Sequence, residues 1–328
     1  MIEAAGNRLS KPVGSTRSPP AFAVVDWGTT SFRLWLMDSV GTVLGERRSD
    51  EGMTKARNSG FQTILETHLC ALGAPDDLPV MICGMAGARQ GWIEARYIDT
   101  PAHLEEIIAN AVTVPGLERD IRILPGLAQR DPANPDVIRG EETQLLGTPG
   151  LHRATGACCL PGTHSKWVSV EAGTIRRFST FMTGELFAAL SGATILRHAL
   201  AQKDMSQENS PAFKRALISA HNEPTVFSHS LFTIRARSLL FESTPDDAAA
   251  FLSGLLIGME MAGARDYVSG GSQPVTLIAS GRLARLYALA FRTLAIAFTT
   301  IDAETAVRDG LRKAAGAIWN RTESETTI

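Results

Sequence analysis

The feature that most constrains this chain is a strand, a polar turn and a second strand that occur twice. In the first copy Ala21 to Val25 are apolar, Asp26 follows, and Gly28, Thr29, Thr30 and Ser31 precede a second strand, Phe32 to Met37. Gly28, Thr29 and Ser31 are matched 134 residues further on by Gly162, Thr163 and Ser165. Each second strand turns again, at Asp38 to Gly41 or at Glu171 to Gly173, into a third. Glycine lets backbone approach a ligand closely, and the N–H groups and hydroxyls after it suit phosphate oxygens. A solvated hairpin turn has the same composition, so the repetition carries the argument. Two such hairpins at the starts of successive halves predict two similar domains facing each other across a nucleotide cleft. The copies differ where Asp26 stands, since Leu160 takes that place in the second. Only the first half therefore offers a turn carboxylate to a divalent cation.

With 328 residues the chain is long enough for two domains of about 100 to 200 residues each. The 32 basic and 34 acidic side chains give no electrostatic case for nucleic acid or an anionic membrane. Cys70, Cys83, Cys158 and Cys159 lack zinc-site spacing and read as buried thiols in a reducing compartment. Residues 1–20 are polar, with no signal-peptide core, and are expected to form a disordered tail. No stretch nears the roughly 20 apolar residues of a membrane span, so a cytoplasmic protein is expected.

Along the first half, Phe61 to Leu72 has helical apolar spacing, and the strand Pro79 to Met85 enters the loop GMAGARQGW. A loop at the carboxyl edge of a sheet is where ligands of α/β folds bind, which makes Gly87, Arg89, Gln90 and Trp92 substrate candidates. A helix at Ala102 to Val112, a strand at Ile121 to Leu124 and a polar loop at Ala128 to Pro135 follow. Then Gly140 precedes Glu141 and Glu142 at a helix start, VIRGEETQLLG. Such acids commonly complement the helix dipole, but these lie at the seam between the halves.

In the second half, Thr183, Gly184 and Glu185 start a helix whose buried face is expected to be Phe187, Ala188 and Leu190. Residues 191–267 read as almost wholly helical. Within them Phe251 to Met261 is apolar nearly all round, and Gly254 and Gly258 permit close packing against a neighbour or a nucleotide, core packing being the commoner reason. A final strand, Pro274 to Ala279, ends in Ser280, Gly281 and Arg282 ahead of a helix, a turn that would suit the adenine and ribose end of a nucleotide. An amphipathic helix, Glu304 to Trp319, and a polar tail complete the chain.

DWGTTSFRLWL and LPGTHSKW together resemble the paired phosphate loops of the actin, hexokinase and sugar-kinase superfamily. More narrowly, these segments with GMAGARQGW, VIRGEETQLLG, FMTGELFAAL, FLSGLLIGMEMAGARDYV and SGRLARLY resemble the 2-dehydro-3-deoxygalactonokinase family, in its order, from about Ala21 to Gly310. The resemblance implies an α/β fold of two ribonuclease-H-like domains around a nucleotide cleft, residues 21–150 and 151–320, with a helical insertion at about 191–267 and a tail at 321–328.

The resemblance further implies ATP-dependent phosphorylation of the 6-hydroxyl of 2-dehydro-3-deoxy-D-galactonate, in galactonate or galactose catabolism. Asp26 would attend Mg2+, and Gly28, Thr29 and Thr30 the γ-phosphate. Gly162, Thr163 and His164 would hold the β-phosphate side, and Gly281 would lie by the adenosine. Arg89, or the backbone from Gly87 to Gln90, is expected to take the sugar-acid carboxylate. Arg139 and Lys166 compete for that task, and Thr183 and Glu185 join the substrate candidates. Neighbours in a helical turn point about 100° apart, so one of Glu141 and Glu142 can face the cleft; the resemblance selects Glu142 as the base. The partners are two small molecules, with neither nucleic acid nor membrane, and a homodimer is compatible with this reading.

Three alternatives stay open: the gluconate epimer as substrate, an exopolyphosphatase-like hydrolase, and a non-catalytic ATP-binding regulator. Leu160 argues against the hydrolase, which should carry an acid there. Asp26, Glu141 and Glu142 argue against the regulator, which should have lost a carboxylate.

Overall fold

The computed structural model describes residues 18–200, 210–241, 243–269 and 273–319; the expected tails otherwise lie outside them. The first half contributes β1 (Phe22–Trp27), β2 (Phe32–Met37), β3 (Val43–Ser49), α1 (Met53–Ser59), α2 (Phe61–Ala71), β4 (Val80–Gly84), β5 (Ile98–Asp99) and β6 (Ala102–His103). Then come α3 (Leu104–Ala109), β7 (Val112–Thr113), β8 (Ile121–Ile123), β9 (Leu127–Gln129), β10 (Asp136–Ile138) and α4 (Glu141–Gly147). The second half holds β11 (Thr155–Leu160), β12 (Ser165–Glu171), β13 (Thr174–Phe181), α5 (Thr183–Ala193), α6 (Pro211–Asn222), α7 (Phe227–Leu240) and α8 (Pro245–Gly263). It ends with α9 (Arg265–Ser269), β14 (Val275–Ile278), α10 (Gly281–Thr293), β15 (Phe298–Ile301) and α11 (Ala303–Trp319).

Two six-stranded sheets repeat one plan. The first runs β3-β2-β1-β4-β8-β7 and the second β15-β14-β11-β12-β13-β6. In each, three consecutive strands meander antiparallel, and two later strands join the first of them in parallel. This is the ribonuclease-H-like order expected of each half. Strand alternation then sorts the side chains by face. Val24, Met81, Cys158, Leu160, Val168 and Val170 enter one core between the sheets, shared with α4 and α11. Val25, Val80 and Ile82 turn outward against α2, whereas Cys159, Trp167 and Leu277 turn outward against α6, α8 and α10.

The helices α4 and α11 meet through two glycines. A Cβ on Gly147 would collide with the carbonyl oxygen of Ala306, and one on Gly310 with that of Thr143. The backbones therefore touch where α4 lies between the sheets. Gly254 and Gly258 of α8 act likewise, facing the carbonyls of Phe213 and Leu217 on α6. That is the close packing expected of them.

Several local expectations need correction. The helix predicted from Ala102 begins at Leu104, because Ala102 and His103 pair with β13 and add an edge strand to the second sheet. The loop predicted from Ala128 starts inside β9. β14 is not the last strand, since Phe298–Ile301 follows it beside β14. No residue of α5 is fully buried: Leu186, Phe187 and Leu190 pack at the margin of a helical core, and Ala188 is exposed. Cys70 is exposed at the end of α2, while the other three thiols are buried as expected.

The crossing makes a stability prediction. Gly310→Ala forces α11 away from α4 and should cost about 1–3 kcal/mol in urea unfolding. Gly192→Ala, at a helical site with open space around it, should be neutral or slightly stabilising. Equal stabilities for the two variants would contradict a tight crossing.

Candidate active site

Strand parity assembles the floor of the cleft. Asp26 shares the inward face of Val24, and Lys166 shares that of Val168, so both point toward the N-terminus of α4. There Lys166 Nζ lies 2.5 Å from Glu141 Oε1, joining β12 to α4 across the seam. The backbone N–H of Arg139 donates to Glu141 Oε2 at 3.1 Å. Asp26 is 24% exposed, with Arg33 Nη1 at 3.7 Å. Burial pushes the Asp26 carboxyl up from its ordinary value, and Arg33 partly offsets this.

The two glutamates of α4 take different places. Glu141 keeps 19% of its side chain exposed, whereas Glu142, expected to face the cleft, has no accessible surface. Gly140, at φ +105°, turns the chain so that the Glu142 carboxylate folds back onto it. Glu142 Oε2 accepts from the Gly140 N–H at 2.7 Å, and Oε1 from Thr143 Oγ1 at 3.1 Å. Burial, then the Glu141 charge, pushes the Glu142 carboxyl up to about 8.

Both phosphate-type turns are exposed at Thr29, Thr30, Thr163 and His164, and both are braced by a helix start. At the first, the N–H groups of Met53 and Thr54 donate to the carbonyls of Gly28 and Thr29 at 2.9 and 3.0 Å. A Cβ on Gly52 would stand 2.5 Å from the Thr29 and Thr30 backbone. At the second, the Glu185 N–H donates to the Thr163 carbonyl at 2.9 Å, and a Cβ on Gly184 would stand 2.6 Å from the Gly162 oxygen. Gly52 and the helix α1 that follows it had no signal in the sequence reading. His164 Nε2 meets Glu185 Oε2 at 2.5 Å, and the Thr183 hydroxyl donates to Glu260 at 2.5 Å. Glu185 thus contacts the second turn, and Thr183 bonds α8 beside it.

Beside that turn a hollow of about 110 Å³ is lined by Gly162, Thr183, Gly184, Ser253, Arg282 and Tyr287. Gly281, at φ +58°, opens α10 along it. Larger hollows, such as one of about 700 Å³ by Leu104 and Lys313, lie away from both turns. Chemistry, and not volume, therefore marks this site.

The loop after β4 divides its candidates. Arg89 and Gln90 are exposed, and Gly87 is buried. Trp92 stacks on Phe61, with ring centroids 5.8 Å apart, and packs against the outer core of the first sheet. Arg139 lies beneath the loop, 4.4 Å over the Tyr97 ring, with Nη2 donating to the Ala95 carbonyl at 2.8 Å. A Cβ on Gly87 would stand 2.8 Å from its Nη1, so glycine is what admits the guanidinium.

Glu142 makes stability pH-dependent with a definite sign. Its folded value of about 8 exceeds the ordinary 4.5, so between those values the unfolded chain releases the proton and the folded chain keeps it. The contribution of Glu142 to stability therefore falls as pH rises through that window. Glu142→Gln removes the titration, and its stability relative to wild type should climb by about 1.4 kcal/mol per pH unit inside the window. Urea unfolding at pH 5 and pH 8 checks this; a constant difference contradicts it.

The profile of the family described as 2-keto-3-deoxy-galactonokinase matches residues 26–314. A Rhizobium meliloti protein named "Probable 2-dehydro-3-deoxygalactonokinase DgoK1" is 52% identical over 300 residues, 91% of this chain and 97% of its own. The Escherichia coli 2-dehydro-3-deoxygalactonokinase is 35% identical over 299 residues, 91% of this chain and 99% of its own. A Sinorhizobium meliloti protein whose crystal structure is named for the same activity superposes with a TM-score of 0.87 at 52% identity, covering 91% of this chain and 99% of that one. The chain belongs to the 2-keto-3-deoxy-galactonokinase family.

Proposed function

We propose that this chain transfers the γ-phosphoryl group of ATP to the 6-hydroxyl of 2-dehydro-3-deoxy-D-galactonate, in the cytoplasm. The observation that carries this reading is the pair of braced turns facing one acidic and basic floor, in a chain of this family. Phosphoryl transfer asks a protein chiefly for positioning and charge neutralisation, and the cleft has groups for both. The sheets are the two lobes that bring them together.

The second turn, Gly162 to His164, is suited to the β-phosphate, and the first, Gly28 to Thr30, to the γ-phosphate. The hollow next to Gly281 is suited to the adenosine. Among the described residues no group of three or more His, Cys, Asp and Glu side chains could hold a metal ion. Asp26 alone, with phosphate oxygens and water, fits the way Mg2+ is commonly held, and that ion would neutralise phosphate charge. Exposed Arg89, on the loop after β4, is the cation we assign to the sugar-acid carboxylate, with Arg139 buttressing the loop.

In the transfer the substrate O6 forms a bond to phosphorus, the bond from phosphorus to the β,γ-bridging oxygen breaks, and ADP leaves. The hydroxyl proton needs a carboxylate within hydrogen-bond reach. Here the assignment changes from Glu142 to Glu141. An acid with no accessible surface cannot touch the substrate in this conformation, whereas Glu141 borders the cleft and is oriented by Lys166.

A coupled assay of ADP release tests the function. Activity is expected with the 2-keto-3-deoxygalactonate epimer above the gluconate epimer; preference for the latter would make the epimer the correction. ADP release without any sugar acid would point to a hydrolase. In the same assay Glu141→Gln and Asp26→Asn should each lower kcat by roughly 10²-fold or more. Full turnover by Glu141→Gln with a loss in Glu142→Gln would restore the original assignment.

A further inference from the structure

Among the described residues the proposed reaction leaves two fully buried glutamates without a role, Glu142 and Glu260; the first is met by its own helix start, the second by other elements. Glu260 of α8 is 1% exposed, and three elements other than its own donate to it. Trp167 Nε1 of β12 reaches Oε1 at 3.0 Å. Thr183 Oγ1 of α5 and Tyr287 Oη of α10 reach Oε2 at 2.5 and 2.6 Å. Tyr287 Oη also lies 2.9 Å from Ser165 Oγ, at the end of the second turn. Burying a carboxylate costs several kcal/mol unless donors replace water. Apart from Ser253, the buried neighbours on α8 are apolar or glycine, among them Leu252, Leu255, Leu256, Ile257 and Met261.

The donors share a location. Thr183 directly precedes Gly184 and Glu185, which brace the Gly162 and Thr163 backbone. Ser165 closes that turn, and Thr183 and Tyr287 line the hollow with Gly162. The second turn also lacks the acid that Asp26 supplies to the first. It is held from behind instead.

We infer that Glu260 is a positioning residue for the nucleotide: by tying Thr183 and Tyr287 to one buried carboxylate, it holds the second phosphate turn and two walls of the adjoining hollow in one arrangement. The inference rests on the proposed reading of the cleft as the nucleotide site. It places Glu260 out of contact with substrate, acting through Thr183 and Tyr287.

Binding of the non-hydrolysable analogue AMPPNP with Mg2+, measured by calorimetry on the full chain, tests it. Glu260→Gln and Thr183→Val should each weaken binding about tenfold, since each removes a charge-assisted hydrogen bond. Thr183→Ser, which keeps the hydroxyl and loses the methyl, should bind like wild type. Combining Glu260→Gln with Thr183→Val should cost little beyond either change alone, because both break the same link. The KM for the sugar acid should stay within about twofold of wild type. Thr183→Val binding as tightly as wild type, Thr183→Ser behaving like Thr183→Val, or additive effects in the double variant would each overturn the inference. The threonine variants carry the test should Glu260→Gln fail to fold. Wild type that does not bind the analogue at all would instead overturn the reading of the cleft.

Discussion

Backbone contact between α4 and α11 is the constraint on which the remaining geometry depends. At Gly147 and Gly310 the two helices approach until each glycine faces the other helix's carbonyl, leaving no room for a methyl group. That approach lets the inward faces of both sheets share a single core with the helix pair. With larger residues there, the sheets would part and the start of α4 would move away from β12. The ion pair of Glu141 and Lys166 exists because the crossing brings together residues of different halves.

Electrostatics then separates the roles of three nearby acids. Asp26 and Glu141 keep some contact with solvent, and each has a cation near it, Arg33 or Lys166. Among the described residues Glu142 has no cation at bonding distance, and burial pushes its carboxyl up. Adjacent acids on one helix therefore differ because rotation about the helix axis sends one to the cleft and the other beneath Gly140. Glu260 is the contrasting case: burial also pushes its carboxyl up, while hydrogen bonds from Thr183, Tyr287 and Trp167 pull the other way.

Much of this was legible in the residues. The apolar strand before each turn, the turn glycines and the third strands marked two similar halves. The all-round apolar stretch Phe251 to Met261 announced its burial, and Gly254 and Gly258 a close packing whose partner, α6, only the fold supplied. These signals are local: a repeated turn, a residue without Cβ, or a run of apolar side chains is enough to state them. Family membership was legible for a similar reason, since the signature segments are contiguous.

Other features had no local signature. Ala102–His103 is too short to read as a strand and becomes one only because β13 offers it an edge. Glu260 looks like a stray charge in an apolar helix until donors from β12, α5 and α10 converge on it. By itself the sequence determined the repeated sheets, the two turns, the family, and that only one of Glu141 and Glu142 can face the cleft. Which one does was decided by tertiary structure, because the roll of α4 is set by the positive φ at Gly140 and the crossing with α11, where Thr143 meets Gly310, 167 positions away.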